Sequence, residues 1–258
     1  MAIKITVLGS GTSTGVPMLG CHCQVCLSSD PRNFRTRSSI AVEVDDELSF
    51  VIDTGPEFRL QMVREKIKPP TNYIFTHTHA DHCHGFDDLR SVYFIARKPI
   101  RCYAREEFID EFKRRFHYIF EDTGYQGVRP EIDFIAIPES GSFSIGNLTI
   151  ETFSCPHGNI KTSIFKVNSF AYATDFKSFP ENVISAWKNN IDTMIASGIR
   201  YGTHHTHSTI DETLALFTQL NVKCGFITHI SHEVDHATVS KNLPKNIQLA
   251  YDGLTFKV

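Results

Sequence analysis

The sequence predicts an α/β chain folded as a single domain over residues 1–258, and three observations carry that prediction. Short β-branched or alternating runs recur along the whole length. Amphipathic stretches with helical spacing fall between those runs instead of in a separate block. No repeat, low-complexity tract or Gly/Ser/Pro-rich linker divides the chain.

Taken in order, "IKITVLGSG" reads as a strand entering a glycine-rich turn. "SIAVEV" and "LSFVID", joined by Asp45, Asp46 and Glu47, read as a hairpin. "EFRLQMVREK" has helical spacing and is stopped by Pro69 and Pro70. "NYIFT" is a short strand that ends at a histidine cluster. From Asp87 to Asp122 the pattern is mainly helical, broken by the strand-like "PIRCYA". Phe108, Phe112, Phe116 and Phe120 recur every four residues there, an apolar stripe suited to core or interface. Strands return at "FIAI", "LTIETFS", "SIFKV" and "FAYATD". "DTMIAS" and "CGFITH" then flank the helical "DETLALFTQLN".

Composition narrows the class. Apolar residues make up 41% and charged residues 21%, as in an ordinary soluble globular protein. A formal charge of -3 does not recommend a nucleic-acid polyanion as the default partner. No run of about 18 apolar residues would span a bilayer. The opening "MAIKITVLGSG" lacks the charged-then-apolar pattern of a signal peptide, so a cytoplasmic location is expected. The 7 cysteines fit reduced thiols better than a secreted disulfide framework, because Cys21, Cys23 and Cys26 crowd together while the others are scattered.

The 13 histidines carry the chemistry. The densest group is "THTHADHCHG", which contains His77-x-His79-x-Asp81-His82. Imidazoles and a carboxylate suit zinc, manganese or iron in the plus-two state. Their spacing fits a loop leaving a strand, where alternate side chains turn toward one point. Asp175 and His229 end the apolar runs "FAYATD" and "CGFITH", so their strand tips can converge on one sheet edge. His157, between Pro156 and Gly158, fits a ligand on a tight loop. At Cys21, Cys23 and Cys26 three thiolates lie within six residues, and a structural zinc wants a fourth ligand. His22 is the local candidate.

His-x-His-x-Asp-His after a strand resembles the signature of the metallo-β-lactamase superfamily. That resemblance implies a four-layered αββα sandwich with one or two metals at the edge of its sheets. It implies a first metal on His77, His79 and His157, a second on Asp81, His82 and His229, and Asp175 bridging them. Asp53 of "VIDTG" takes the place of the family's structural aspartate, holding the histidine loop by hydrogen bonds. The segment "LGSGTSTGVPMLGCHCQVC" is similar to that of PhnP-type phosphodiesterases. In those a zinc held by three cysteines takes a histidine three residues past the last active-site ligand, here His232. His207 of "HST", before the helix "DETLAL", resembles the histidine that faces phosphate in PhnP-type enzymes and in tRNase Z.

The activity so implied is hydrolysis of a small, cyclic phosphodiester by a hydroxide held between two divalent ions. Asp81 and Asp175 would orient the nucleophile, and His207 would assist the leaving oxygen. The cofactors implied are two catalytic ions, Mn2+ or Zn2+ with Fe2+ as a third option, and one structural Zn2+. A tRNase Z-like nuclease is the nearest rival, though no basic, glycine-rich arm is visible. A PqqB-like, non-hydrolytic metal protein is the rival of a different class. A helical insertion at about 105–130 departs from the PhnP pattern and suits a pocket cover or a homodimer contact.

Overall fold

A computed structural model describes residues 3–44, 48–122, 124 and 127–258. Seven strands form the first sheet: β1 (Lys4–Gly9), β2 (Ser39–Glu43), β3 (Ser49–Ile52), β4 (Asn72–Ile74), β5 (Ile100–Ala104), β6 (Ile132–Ala136) and, at the far end of the chain, β14 (Thr255–Lys257). Their spatial order is β14-β1-β2-β3-β4-β5-β6. The second sheet contains β7 (Ser140–Ile145), β8 (Leu148–His157), β9 (Ile160–Val167), β10 (Phe170–Ala173), β11 (Thr193–Ser197), β12 (Cys224–Thr228) and β13 (Ile247–Leu249), ordered β13 to β7 without a break. Each sheet is mixed: β3–β6 run parallel in the first and β10–β13 in the second.

Alternation along the strands explains the layering. Ile5, Val7, Val42, Phe50 and Ile52 of the first sheet meet Ile150, Phe165, Tyr172, Ile195 and Phe226 of the second in a buried inter-sheet core. The opposite face of the first sheet buries Val51, Tyr73 and Phe75 beneath α1 (Phe58–Arg64), α3 (Leu89–Ala96) and α4 (Glu106–Arg115). The opposite face of the second packs Met194 and Ala196 on α6 (Glu181–Trp187), α7 (Ile210–Leu220) and α8 (His236–Ser240). The result is helix, sheet, sheet, helix, the four-layered αββα sandwich expected.

Several local readings change. Pairing of Ile40 with Ile52 confirms the β2–β3 antiparallel ladder, while Asp45, Asp46 and Glu47 lie outside the described residues. The phenylalanine-striped segment is two helices, α4 and α5 (His117–Phe120), because Phe116 leaves helical geometry at φ -110, ψ 34. The stripe still faces the core, where Phe75, Phe86, Phe112 and Phe134 pack ring against ring. Strands β7, β13 and β14 and helices α6 and α8 escaped the sequence reading, being short or weakly patterned. Among the described residues no helix is long and apolar enough to cross a membrane.

Candidate metal centre

The ends of β3 and β4 from one sheet and of β8, β10 and β12 from the other open onto a single edge. Asp53, Asp175 and His229 follow β3, β10 and β12 with φ values of 66, 57 and 58. A left-handed residue after a strand redirects the side chain from the pleat toward the edge, a strained state that Asp tolerates better than most residues and His better than branched ones. His77 and His79 leave β4, and the loop then closes into one helical turn, α2 (Ala80–Cys83), that carries Asp81 and His82. The expected open loop is therefore partly helical. Two glycines permit its close packing: a Cβ at Gly55 would lie 2.4 Å from the Asp81 carbonyl oxygen, and one at Gly85 would lie 2.3 Å from that of Gly55.

The donors expected from the sequence come together. His77, His79 and His157 form one group and Asp81, His82, Asp175 and His229 a second, with the donor atoms of each group within 4.8 Å of one another. His207 joins His157 and Asp175 in a third such group, its Nδ1 3.3 Å from Asp175 Oδ1. His157 sits on the last residue of β8, not within a loop.

Neighbouring groups fix the direction of several rings. The Thr76 hydroxyl donates to Asp53 Oδ2 at 2.8 Å, so the 3.0 Å contact between Thr76 Oγ1 and His77 Nδ1 requires the ring to donate. His82 Nδ1 donates to Asp53 at 2.7 Å, and His157 Nδ1 donates to the Thr206 carbonyl at 3.1 Å. Each of the three rings thus turns an Nε2 lone pair toward the cluster. His77 Nε2, His82 Nε2 and both nitrogens of His229 are buried without a hydrogen-bond partner. His157 Nε2 lies 3.1 Å from His79 Nδ1, while His229 Nε2 and His82 Nε2 lie 3.1 and 3.0 Å from Asp175. Converging lone pairs and carboxylates without protons to share are what divalent cations satisfy, so the residues fit the metals.

Electrostatics agree. Burial drives the His77 imidazole well below its ordinary value, which leaves it neutral and able to ligate. Burial works against ionised Asp175, yet the positive charge of His229 and His82 outweighs it and holds the carboxyl well below the usual range. Against burial, Asp175, Asp81 and Asp53 in turn raise His82 well above its ordinary value, so a divalent ion would take the place of the proton its Nε2 otherwise holds. His207 is pushed down to about 3, by burial first and by His229 next. That leaves its ring a neutral hydrogen-bond donor.

The cysteine cluster finds its fourth member. Cys21 Sγ and Cys23 Sγ each lie 3.4 Å from His232 Nδ1, Cys26 completes the group, and His22 is exposed. The Met18 and Cys26 backbone N–H groups donate to the Cys26 and Cys23 sulfurs at 3.3 and 3.4 Å. The Cys26 N–H, then His232, lowers the Cys23 thiol to about 6.

Four supporting residues were not anticipated. Arg35 is fully buried and donates to the carbonyls of Ser231 and Val234 at 3.0 and 2.8 Å, bracing the loop that carries His232. Arg115, the last residue of α4, donates to the Thr78 carbonyl between His77 and His79. His204 Nδ1 accepts the Thr206 and His207 backbone N–H groups at 3.3 and 3.2 Å. Thr76 links Asp53 to His77. The His204 cluster was the one visible signal; a lone arginine or threonine gives none.

A family model described as the beta-lactamase superfamily domain matches residues 49–230. The chain belongs to the metallo-β-lactamase superfamily. Among solved structures of this superfamily, a crystal structure described as a new diphosphatase from the PhnP family is 35% identical, with a TM-score of 0.92 over 100% of this chain and 98% of that one. Zn(2+)-bound PqqB from Methylobacterium extorquens, at 17% identity and a TM-score of 0.79 over 99% and 100%, shares the fold. A curated protein of Porphyromonas gingivalis named octanoyltransferase is 32% identical over 98% of this chain and 51% of its own length. The chain therefore spans about half of that relative. In fold and in the placement of its buried donors the chain resembles that PhnP-family structure.

Proposed function

We propose that this protein hydrolyses small phosphodiesters with two divalent ions, one on His77, His79 and His157 and one on Asp81, His82 and His229, with Asp175 between them. The observation that carries the reading is His207 beside that cluster. Its ring stacks on His229 at 4.8 Å, and its Nδ1, buried without a hydrogen-bond partner, faces Asp175 at 3.3 Å. A histidine held next to the donors but outside both sets suits an oxygen of a bound phosphate.

Bound there, the ions would supply an activated water and positive charge for the pentacoordinate transition state. The chain's own residues do the rest. Asp81 and Asp175 orient the nucleophile by accepting its proton-side hydrogen bonds. His207 donates to a phosphoryl oxygen, and anionic phosphate favours its protonation, after which it protonates the leaving alkoxide. Its position is fixed by α7, whose Thr209 and Glu212 form a reciprocal N-terminal cap, and by Lys177, which reaches from the Asp175 loop to Glu212 at 2.6 Å. A zinc on Cys21, Cys23, Cys26 and His232 would tie the amino-terminal loop to the segment after His229.

Hydrolysis of bis(p-nitrophenyl) phosphate by protein loaded with Mn2+ or Zn2+ tests the proposal. Turnover is expected in the wild type, with a fall to background and the loss of bound metal in Asp175→Ala. Near-wild-type turnover in that variant, or no hydrolysis of any phosphodiester by fully loaded protein, would overturn it.

A further inference from the structure

Beside the cluster lies a second, larger space. The cavity over the donors, about 220 Å3, is lined by His79, His157, Asp175 and His207. A cleft of about 600 Å3 adjoins it, and Gly158 and Asn159 at the β8–β9 turn line both. The far wall of the cleft is the start of α4, so the insertion flanks the approach to the metals. Its size suits a group as large as a sugar.

The charges in the cleft are paired internally. Arg105, with a side chain only 4% exposed, donates to Ser154 and Glu107, and its guanidinium lies 4.4 Å over the Phe108 ring. Lys161 pairs with Glu139, each 57% exposed, and Glu107 is 64% exposed. Glu111, paired with Arg114 and Arg115, lines the cleft as well, so the charged groups a ligand can reach are three carboxylates and one ammonium. A second phosphate would meet those carboxylates with no uncompensated cation to hold it. Among the described residues of the cleft a nucleobase would find no free aromatic face, because Phe108 is buried beneath Arg105. Hydroxyl groups fit best, since they donate to carboxylates and accept from ammonium without adding charge.

We propose, resting on the phosphodiesterase reading, that this cleft holds one ester arm of the substrate and selects a neutral, hydroxyl-bearing sugar over both a small alkyl arm and a phosphorylated one. Three p-nitrophenyl diesters with the same leaving group separate the cases: the methyl, the thymidine 5′- and the 3′-phosphorylated thymidine 5′-esters. A base-free methyl 2-deoxyriboside 5-ester, expected to match the thymidine ester, assigns the gain to the sugar and not to the thymine. For the wild type kcat/KM is expected to be at least 10-fold higher for the thymidine ester than for the methyl ester, and to fall several-fold when the 3′-phosphate is added. Glu139→Lys, at an exposed position that the fold does not need, is expected to reverse the second preference by removing a carboxylate and adding a cation. A loss of folding or of metal would lower all three rates together instead of reordering them. Equal rates for methyl and thymidine arms, or a wild-type preference for the phosphorylated arm, would overturn the inference and leave the phosphodiesterase reading standing. Hydrolysis of none of the three would remove both.

Discussion

Donors in the His/Asp cluster and in the cysteine clip are held by different means. His77, His82 and His157 are each aimed by a second group, Thr76, Asp53 and the Thr206 carbonyl, and Asp175 is aimed by Thr174 at 2.6 Å. Thr76, Asp53 and Thr174 sit just past strand ends from both sheets, and Thr206 lies on the loop that leads into α7. The clip draws three donors from one six-residue stretch and, among the described residues, packs Val16, Val25 and Met18 around them. The Cys23 and Cys26 sulfurs each receive one backbone N–H, and Cys21 and Cys23 otherwise meet only their fellow donor His232. The first site is braced by the chain's own hydrogen bonds; in the second the donors converge with few such bonds, the arrangement that an ion would cross-link.

The largest effect that would break this contrast lies at Asp53. It accepts from the Thr76 N–H at 2.9 Å, from the Thr76 hydroxyl and from His82. Asp53→Asn keeps the size and tolerates φ 66, but it places an amide donor against donors. Catalytic-metal affinity and kcat/KM are expected to drop about 10–100-fold, the range for groups that orient a ligand. Calorimetric metal titration and circular dichroism on the same sample check this; wild-type affinity in a folded variant would mean that the cluster is not shaped in advance.

A middle-sized effect belongs to the clip. Cys23→Ser is expected to release one zinc per chain, lower the melting temperature, and weaken the second catalytic ion by up to about 10-fold through the loop from His229 to His232. The core of the domain limits the loss, so the variant should remain folded at room temperature. Retention of full zinc content, or unchanged affinity at the catalytic site, would show that the clip and the cluster are independent.

The same contrast explains what the sequence disclosed. Strand ends bearing His or Asp after apolar runs were legible because the alternating pattern stops at the residue that does chemistry, as at Asp175 and His229. Clustered cysteines were legible because few other roles need three thiols so close. His232, 206 residues beyond Cys26, was legible only through family resemblance, since nothing in local pattern links them. Arg35 and Arg115 were opaque because each works through backbone carbonyls, and any stretch of chain offers those. The break at Phe116 was opaque too: helical periodicity continues across it, and packing of α4 and α5 on the first sheet decides the bend.

The smallest effect separates what an ion holds from what the chain holds beside His232. Asp235 caps α8, accepting from the Thr238 N–H at 2.8 Å, and also accepts from Asn33 at 2.9 Å. These bonds, Thr238 first and then Asn33, keep its carboxyl below the ordinary value. A carboxyl lowered in this way contributes its full stability above the unfolded value, about 3.9, and loses it as pH falls through the lower folded value. Asp235→Ala is therefore expected to cost about 1 kcal/mol at pH 7 and progressively less below about pH 4. Urea denaturation at both pH values measures it. A zinc on His232 would restrain the same segment and mask part of the cap. In a Cys23→Ser background the cap should matter more, with a coupling of about 0.5 kcal/mol or above. Strict additivity of the two substitutions would mean that the cap alone orders residues 231–240, and the clip would then be a surface ornament of the cluster instead of its support.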